Sequence, residues 1–299
     1  MRADIGCVPI VWNNVDLPDL GDPVPADEVL DELARLGFAG CQFGRGFPDG
    51  ARLASALERR GLRLAEWYCA LPADARGLTD AAAPLARATL RRLVAAGGEV
   101  LVVAVDGSPE RDAFSGRVLA GAPRWREPAY DELAALLGEL AEAAPDGVRI
   151  AFHPHAATWV EAPDEVDALA ERLGGTGAGL CLDVGHFLAG GGDPVDAIAR
   201  YGSLITHVHL KDVNPAVLAR LRVGEVDGLG GAVRERLFTE LGNGALDLDG
   251  VLRALDRIGH TGWLMVEQDS SWLRPSEAAA IGRRVLEFAR RAAVREAVA

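Results

Sequence analysis

Short apolar runs alternate along this chain with longer stretches whose apolar residues recur at helical spacing. The first run, 5–11, leads into WNNVDLPDLGDPVP, whose Asn, Asp, Pro and Gly mark a loop. Val29, Leu30, Leu33 and Leu36 then share one face of a helix predicted over 25–36 and stopped by Gly37. The same alternation predicts further strands over 38–43, 62–69, 100–105, 148–152, 179–182, 204–210 and 262–266. Helices are predicted between and after them, over 51–60, 81–96, 129–144, 163–173, 194–201, 248–258 and 275–294. The run VLVVAV at 100–105 is apolar throughout, as in a parallel strand covered on both faces. Two stretches break the rhythm, a loop over 111–128 and a long excursion over 211–247. Eight strand-then-helix units predict an α/β fold, a closed (β/α)8 TIM barrel formed as one domain over 1–299. An open doubly wound sheet would want a Gly-rich turn after its first strand, and VWNNVDLPDLG has none.

Polar chemistry gathers at the ends of the last four apolar runs. The chain has six histidines, and His153, His155, His186, His207 and His209 all lie in this part. The segments read IAFHPH, GLCLDVGH, LITHVHLKD and WLMVEQD, and a barrel brings their C-terminal ends to one mouth. Side chains alternate across a strand, so His153 shares a face with His155, and His207 with His209. One histidine at a strand end is commonly just a satisfied polar residue, and His207 is read so. Asp183, His209 and Glu267 come from three separate strand ends and are read as metal ligands. Mixed imidazole and carboxylate donors suit Mn²⁺, the first expectation, or Co²⁺, Fe²⁺ or Zn²⁺, with Mg²⁺ less favoured by imidazole. His260 stands alone before a strand and is read as surface. Trp12, Trp67, Tyr68 and Trp159 lie near strand ends, where an aromatic either fills the core or walls a sugar pocket. Of these, Trp12, Trp67 and Tyr68, together with Asn13 and Asp212, are expected to contact substrate.

The bulk numbers narrow the classes. A net charge of −13 repels nucleic acid, and no apolar run is long enough to cross a bilayer. The amino terminus lacks the apolar core of a secretory signal, so the expected location is the cytoplasm. Cys7, Cys41, Cys69 and Cys181 form no CxxC pair and sit in apolar runs, as small core residues do. A homo-oligomer is compatible with such a barrel, though no residue dictates one.

These motifs resemble the xylose-isomerase-like barrels, the sugar isomerases and epimerases, and among them the myo-inosose-2 dehydratases. The similarity runs through PIVWNNVDLPDLG, EWYCAL, FHPHAAT, LDVGH, THVHLKD, FTELGNGALD and GWLMVEQD. It implies metal ligands at His153, Asp183, His209 and Glu267, with His155 open as an alternative to His153. It implies a substrate contact at His186 and places Lys211 in a substrate-facing loop. The epimerases of this superfamily carry a glutamate where this chain has His153, and use two metal-bound carboxylates to pass through an enediolate. With one of them missing, dehydration of a cyclic polyhydroxy ketone such as 2-keto-myo-inositol is expected instead. That reaction needs a base for the α proton and an acid for the leaving hydroxyl. His186, His155 and Lys211 are the candidates, beside Glu267. Two rivals remain. One is a sugar or sugar-phosphate isomerase or epimerase, for which Arg45, Arg117, Arg124 and Arg126 are too scattered to build an anion pocket. The other is a catalytically silent barrel that only binds.

Overall fold

Eight parallel strands close into a barrel, each beside its neighbour in sequence: β1 (Ile5–Cys7), β2 (Gly40–Gln42), β3 (Arg63–Leu71), β4 (Val100–Val105), β5 (Arg149–Phe152), β6 (Gly179–Asp183), β7 (Ile205–Leu210) and β8 (Leu264–Val266). The first and last strands seal it, with Ile5 opposite Leu264 and Cys7 opposite Val266. The computed structural model describes residues 3–15, 17–19, 21–117, 121–269 and 271–296, with side chains to residue 291. The outer helices are α1 (Ala26–Arg35), α2 (Gly50–Glu58), α3 (Ala82–Ala95), α4 (Glu127–Ala143), α5 (Pro163–Leu173), α6 (Pro194–Tyr201), α7 (Leu248–Arg257) and α8 (Pro275–Glu296).

The alternation of side chains divides the core in two. Val8, Ala65, Val100, Val102, Ala151, Cys181 and Met265 form a small cluster of their own in the barrel. Residues of the other parity, such as Leu64, Leu101, Val103, Phe152, Leu182 and Val208, pack in a larger cluster with Leu33, Leu93, Leu137, Leu169 and Leu255 of the helices. The first strand is shorter than its apolar run because Pro9 offers no N–H to a ladder, and Pro9–Val11 turns into a 3-10 helix.

The excursion after β7 folds on its own apolar seed. Asp212–Val213 pairs antiparallel with Phe238–Thr239, and the helices Pro215–Arg222 and Gly228–Arg234 lie between them. Val213, Leu218, Leu221, Ala232, Leu237 and Phe238 bury one another there. Two further short helices, Pro109–Asp112 and Val184–Ala189, follow β4 and β6 directly. All four cysteines are free and buried, as their apolar settings suggested. His260 is not a surface residue: it is 5% exposed, packed beside Gly262 below the start of β8.

Candidate active site

A cavity of about 540 Å³ opens at the C-terminal ends of the strands. At its floor His153, His209 and Glu267 line it, and Asp183 lies beside them, four side chains from four strand ends. His153 follows β5, Asp183 ends β6, His209 lies near the end of β7 and Glu267 follows β8. Each offers one ligand atom, and the four atoms lie within 4.8 Å of one another. His209 Nδ1 is 2.6 Å from Glu267 Oε2 and 3.8 Å from Asp183 Oδ2, and His153 Nε2 is 3.6 Å from Asp183 Oδ2. Asp183 Oδ2, His209 Nδ1 and Glu267 Oε2 are buried without a hydrogen bond. Buried polar atoms are seldom left unmatched, and acceptors crowded this closely favour a positive charge between them. The donor set therefore fits a divalent cation. Cys181 stands next to this set, its thiol pushed up to about 12 by burial.

Local folding places each member. Asp183 caps the helix Val184–Ala189, its Oδ1 accepting the His186 N–H at 2.8 Å, which leaves Oδ2 for the floor. That helix lies against the stem of Lys211, and a side chain at Gly185 would come within 2.8 Å of the Lys211 Cβ. Lys211 is 1% exposed, and its ammonium reaches Asp269 at 3.0 Å, Glu267 at 3.0 Å and Asp183 at 3.5 Å. Burial would lower its pKa, but Asp183, Asp269 and Glu267 outweigh this and hold it well above the usual lysine value. Glu267 is likewise resisted by burial yet held down to about 2, chiefly by Lys211 and His209. Asp269 goes the other way, to about 7, because burial and Glu267 prevail over Lys211. Phe238 of the excursion roofs the lysine, its ring 4.6 Å from Nζ.

His155 and His186 lie against each other above the floor, ring centroids 3.7 Å apart and planes tilted by 36°, and both line the cavity. His155 does not join the four-atom cluster, so the cluster's β5 member is His153. Burial pushes His155 down to about 3, helped by His153 and Lys211. Burial also holds His186 well below the usual imidazole value, with His155 and Lys211 adding to it. Both rings are therefore neutral at neutral pH. His155 Nδ1 faces the Ala156 carbonyl at 2.8 Å. A carbonyl only accepts, so the proton is on Nδ1 and Nε2 keeps its lone pair. Lys211 Nζ, which can only donate, faces His186 Nε2 at 3.0 Å, so Nε2 accepts and the ring proton is on Nδ1, 3.3 Å from the Ala156 nitrogen.

His186, an expected substrate contact, lines the cavity, and of Trp12, Asn13, Trp67, Tyr68 and Asp212 only Tyr68 does so as well. Tyr68 points inward, so its neighbour Trp67 points outward, stacked on Phe43 at 3.6 Å with Arg92 over it. Trp12 packs toward α1, its indole N–H donating to Glu32. Asn13 pins the first loop through Val24 and Arg45. Asp212 spends its oxygens on the N–H groups of Val213, Gly242, Gly244 and Leu246, folding the GNGAL turn. Trp159 is core, 1% exposed. Sequence reasoning missed Glu66 on β3, which is fully buried and accepts from Nε2 of both His207 and His209. Burial works against its charge, but His209 and His207 hold it well below the usual carboxylate range. Spacing could have found it: Glu66 and Tyr68 share a face, and a charge inside a strand needs a partner. Asp106, Ser108, Asp112 and Gln42 also line the cavity, with Leu229 and Val233 of the excursion above. No Arg or Lys is among its described lining residues.

Residues 30–291 match the family of xylose isomerase-like TIM barrels. An inosose dehydratase of Clostridium botulinum (strain Alaska E43 / Type E3) is 32% identical over 292 residues, 96% of this chain and 97% of that protein. Among solved structures, an L-ribulose 3-epimerase superposes with a TM-score of 0.74 at 20% identity, covering 99% of this chain and 97% of that one. The IOLI protein, solved with a zinc atom, superposes with a TM-score of 0.69 at 17% identity, covering 96% and 97%. At these identities the two structures speak to the fold.

Proposed function

The chain belongs to the xylose isomerase-like TIM barrel family, and from that premise we propose that it is a divalent-metal-dependent dehydratase of a cyclic polyhydroxy ketone of the 2-keto-myo-inositol class. The observation that carries the reading is the pairing of the four-donor floor with two neutral imidazoles in contact above it. His153, Asp183, His209 and Glu267 would hold the metal, with Mn²⁺ the first expectation. A divalent cation bound there supplies Lewis-acid polarisation of a substrate carbonyl.

The chain's own groups supply the proton transfers. His155 Nε2, with its lone pair facing the cavity, removes the proton α to the ketone. Lys211 is the cationic proton reserve, and it reaches the leaving hydroxyl through Asp269, the lining carboxyl it touches, while His186 holds the lysine in place. Tyr68 walls the bound ring. The inosose dehydratase relative supports this substrate class, and the zinc atom reported with the IOLI protein supports a metal. The lining without Arg or Lys suits an uncharged polyol better than a sugar phosphate. Epimerisation would want a second carboxylate on β5, where this chain has His153.

The test is mass spectrometry of products after Mn²⁺-loaded protein meets 2-keto-myo-inositol and a panel of linear ketoses. A product lighter by one water from the inosose is expected. An isomer of a linear ketose, with the inosose untouched, would move the chain to the epimerases.

A further inference from the structure

Glu66 sits where a barrel of this kind has no need of charge. It pairs with Val100 across the strands, and the barrel's inner cluster of Ala65, Val100, Val102, Ala151, Cys181 and Met265 is apolar. Enclosing a carboxylate there costs several kcal/mol by general estimates, and a well-packed apolar side chain would serve stability as well or better. The way it is bonded is also not that of a structural pair. Both imidazoles converge on Oε2, His209 at 2.8 Å and His207 closer, while Oε1 is buried with no partner.

We propose that Glu66 is the positioning residue of the metal centre, and that it acts through His209. An ionised carboxylate only accepts, so the His209 proton facing it must be on Nε2. The lone pair is then on Nδ1, the nitrogen that faces Glu267 and Asp183. Glu66 thus selects the tautomer, fixes the ring plane and makes the imidazole a stronger donor, as carboxylates behind metal-bound histidines do. His207 braces the same oxygen from the side, which is why a fully buried histidine stands two residues before the ligand. Glu66, His207 and His209 also lie close enough to be taken for a second metal site. There both Nε2 atoms carry the protons they give to Oε2, and a protonated nitrogen has no lone pair left for an ion.

This inference rests on the metal-dependent reading above, and the experiment separates the two. Co²⁺ affinity is measured by chelator competition in folded wild type, Glu66→Gln and Glu66→Leu, with the Co²⁺ visible spectrum recorded on each. Wild type binds, Glu66→Leu binds about 10- to 100-fold more weakly with an altered spectrum, and Glu66→Gln, which keeps an oxygen, falls between. A merely structural carboxylate would lower the melting temperature and leave the affinity of the folded protein in place, so equal affinities overturn the inference. If Glu66→Leu does not fold, Glu66→Gln decides alone: affinity and spectrum equal to wild type overturn it. A wild type that binds no divalent metal overturns the metal-dependent reading and this inference with it.

Discussion

Two clusters of buried charge lie beneath neighbouring loops, and they are built on opposite rules. In one, Arg111 grips both oxygens of Glu165 at 2.7 and 2.8 Å and donates to the Pro123 carbonyl. Glu165 also accepts the N–H groups of Glu161 and Ala162, and Glu161 accepts those of Gly116 and Ala157. Among the side-chain polar atoms of these three residues, only Arg111 Nε has no hydrogen bond. In the other, on the cavity floor, Asp183, His209 and Glu267 each leave an atom unmatched, and Lys211 is shared among three carboxylates. Both clusters are enclosed, so burial alone does not tell structure from chemistry. What differs is whether the lone pairs are already spoken for. The closed cluster ties three loops together, and one of its carboxylates holds Ala157 at a φ of 63°, a left-handed conformation uncommon for alanine. The open cluster has spare valence pointed into a cavity.

The contrast can be broken by perturbing each cluster in turn. Asp183→Asn keeps shape and the helix cap but removes an anionic donor from the floor. Turnover should fall by more than about 100-fold, beyond what the loss of a residue behind a ligand costs, with melting little changed. Steady-state kinetics beside a thermal melt checks it, and near-normal turnover would remove Asp183 from the centre. Arg111→Met leaves Glu165 buried without its partner, and a buried pair broken on one side costs about 3–5 kcal/mol. Urea unfolding reads that loss. Metal affinity of the remaining folded protein should not move, and if it does, the two clusters are not independent.

The barrel was legible because its signal is periodic. Apolar runs and helical spacing recur eight times, and the 100–105 strand matches Val100–Val105 residue for residue. The floor was legible because ligand-type residues stood together at strand ends. The aromatic wall was not, since nearness to a strand end says nothing about which way a side chain faces. Parity decided it, placing Tyr68 in the cavity and Trp67 behind the strand. Asp212 looked like a substrate contact beside the β7 motif, yet a loop thirty residues downstream claims its oxygens, a partnership without local trace. Glu66 was hidden for the same reason, its partners being 141 and 143 residues away.

The finest test of the contrast is the pH dependence of the closed cluster, through Glu161. Burial pushes this carboxyl up to about 7, against the Gly116 and Ala157 N–H groups that pull it down. An unfolded glutamate ionises near about 4.3, so between the two values the folded chain keeps a proton that the unfolded chain has released. The group's contribution is therefore complete below the unfolded pKa and is lost as pH rises toward 7, a change of at most about 4 kcal/mol. Glu161→Gln cannot titrate, and its amide turns a donor toward one of the two N–H groups, so it is less stable by about 1–3 kcal/mol from that mismatch. Unfolding free energies of both proteins at pH 5 and pH 8 isolate the effect, since other titrating groups cancel in the difference. Wild type should exceed the variant by more at pH 5 than at pH 8. A margin equal at both would mean that Glu161 is ionised throughout, and that the N–H groups of the closed cluster hold a charge just as the open one does.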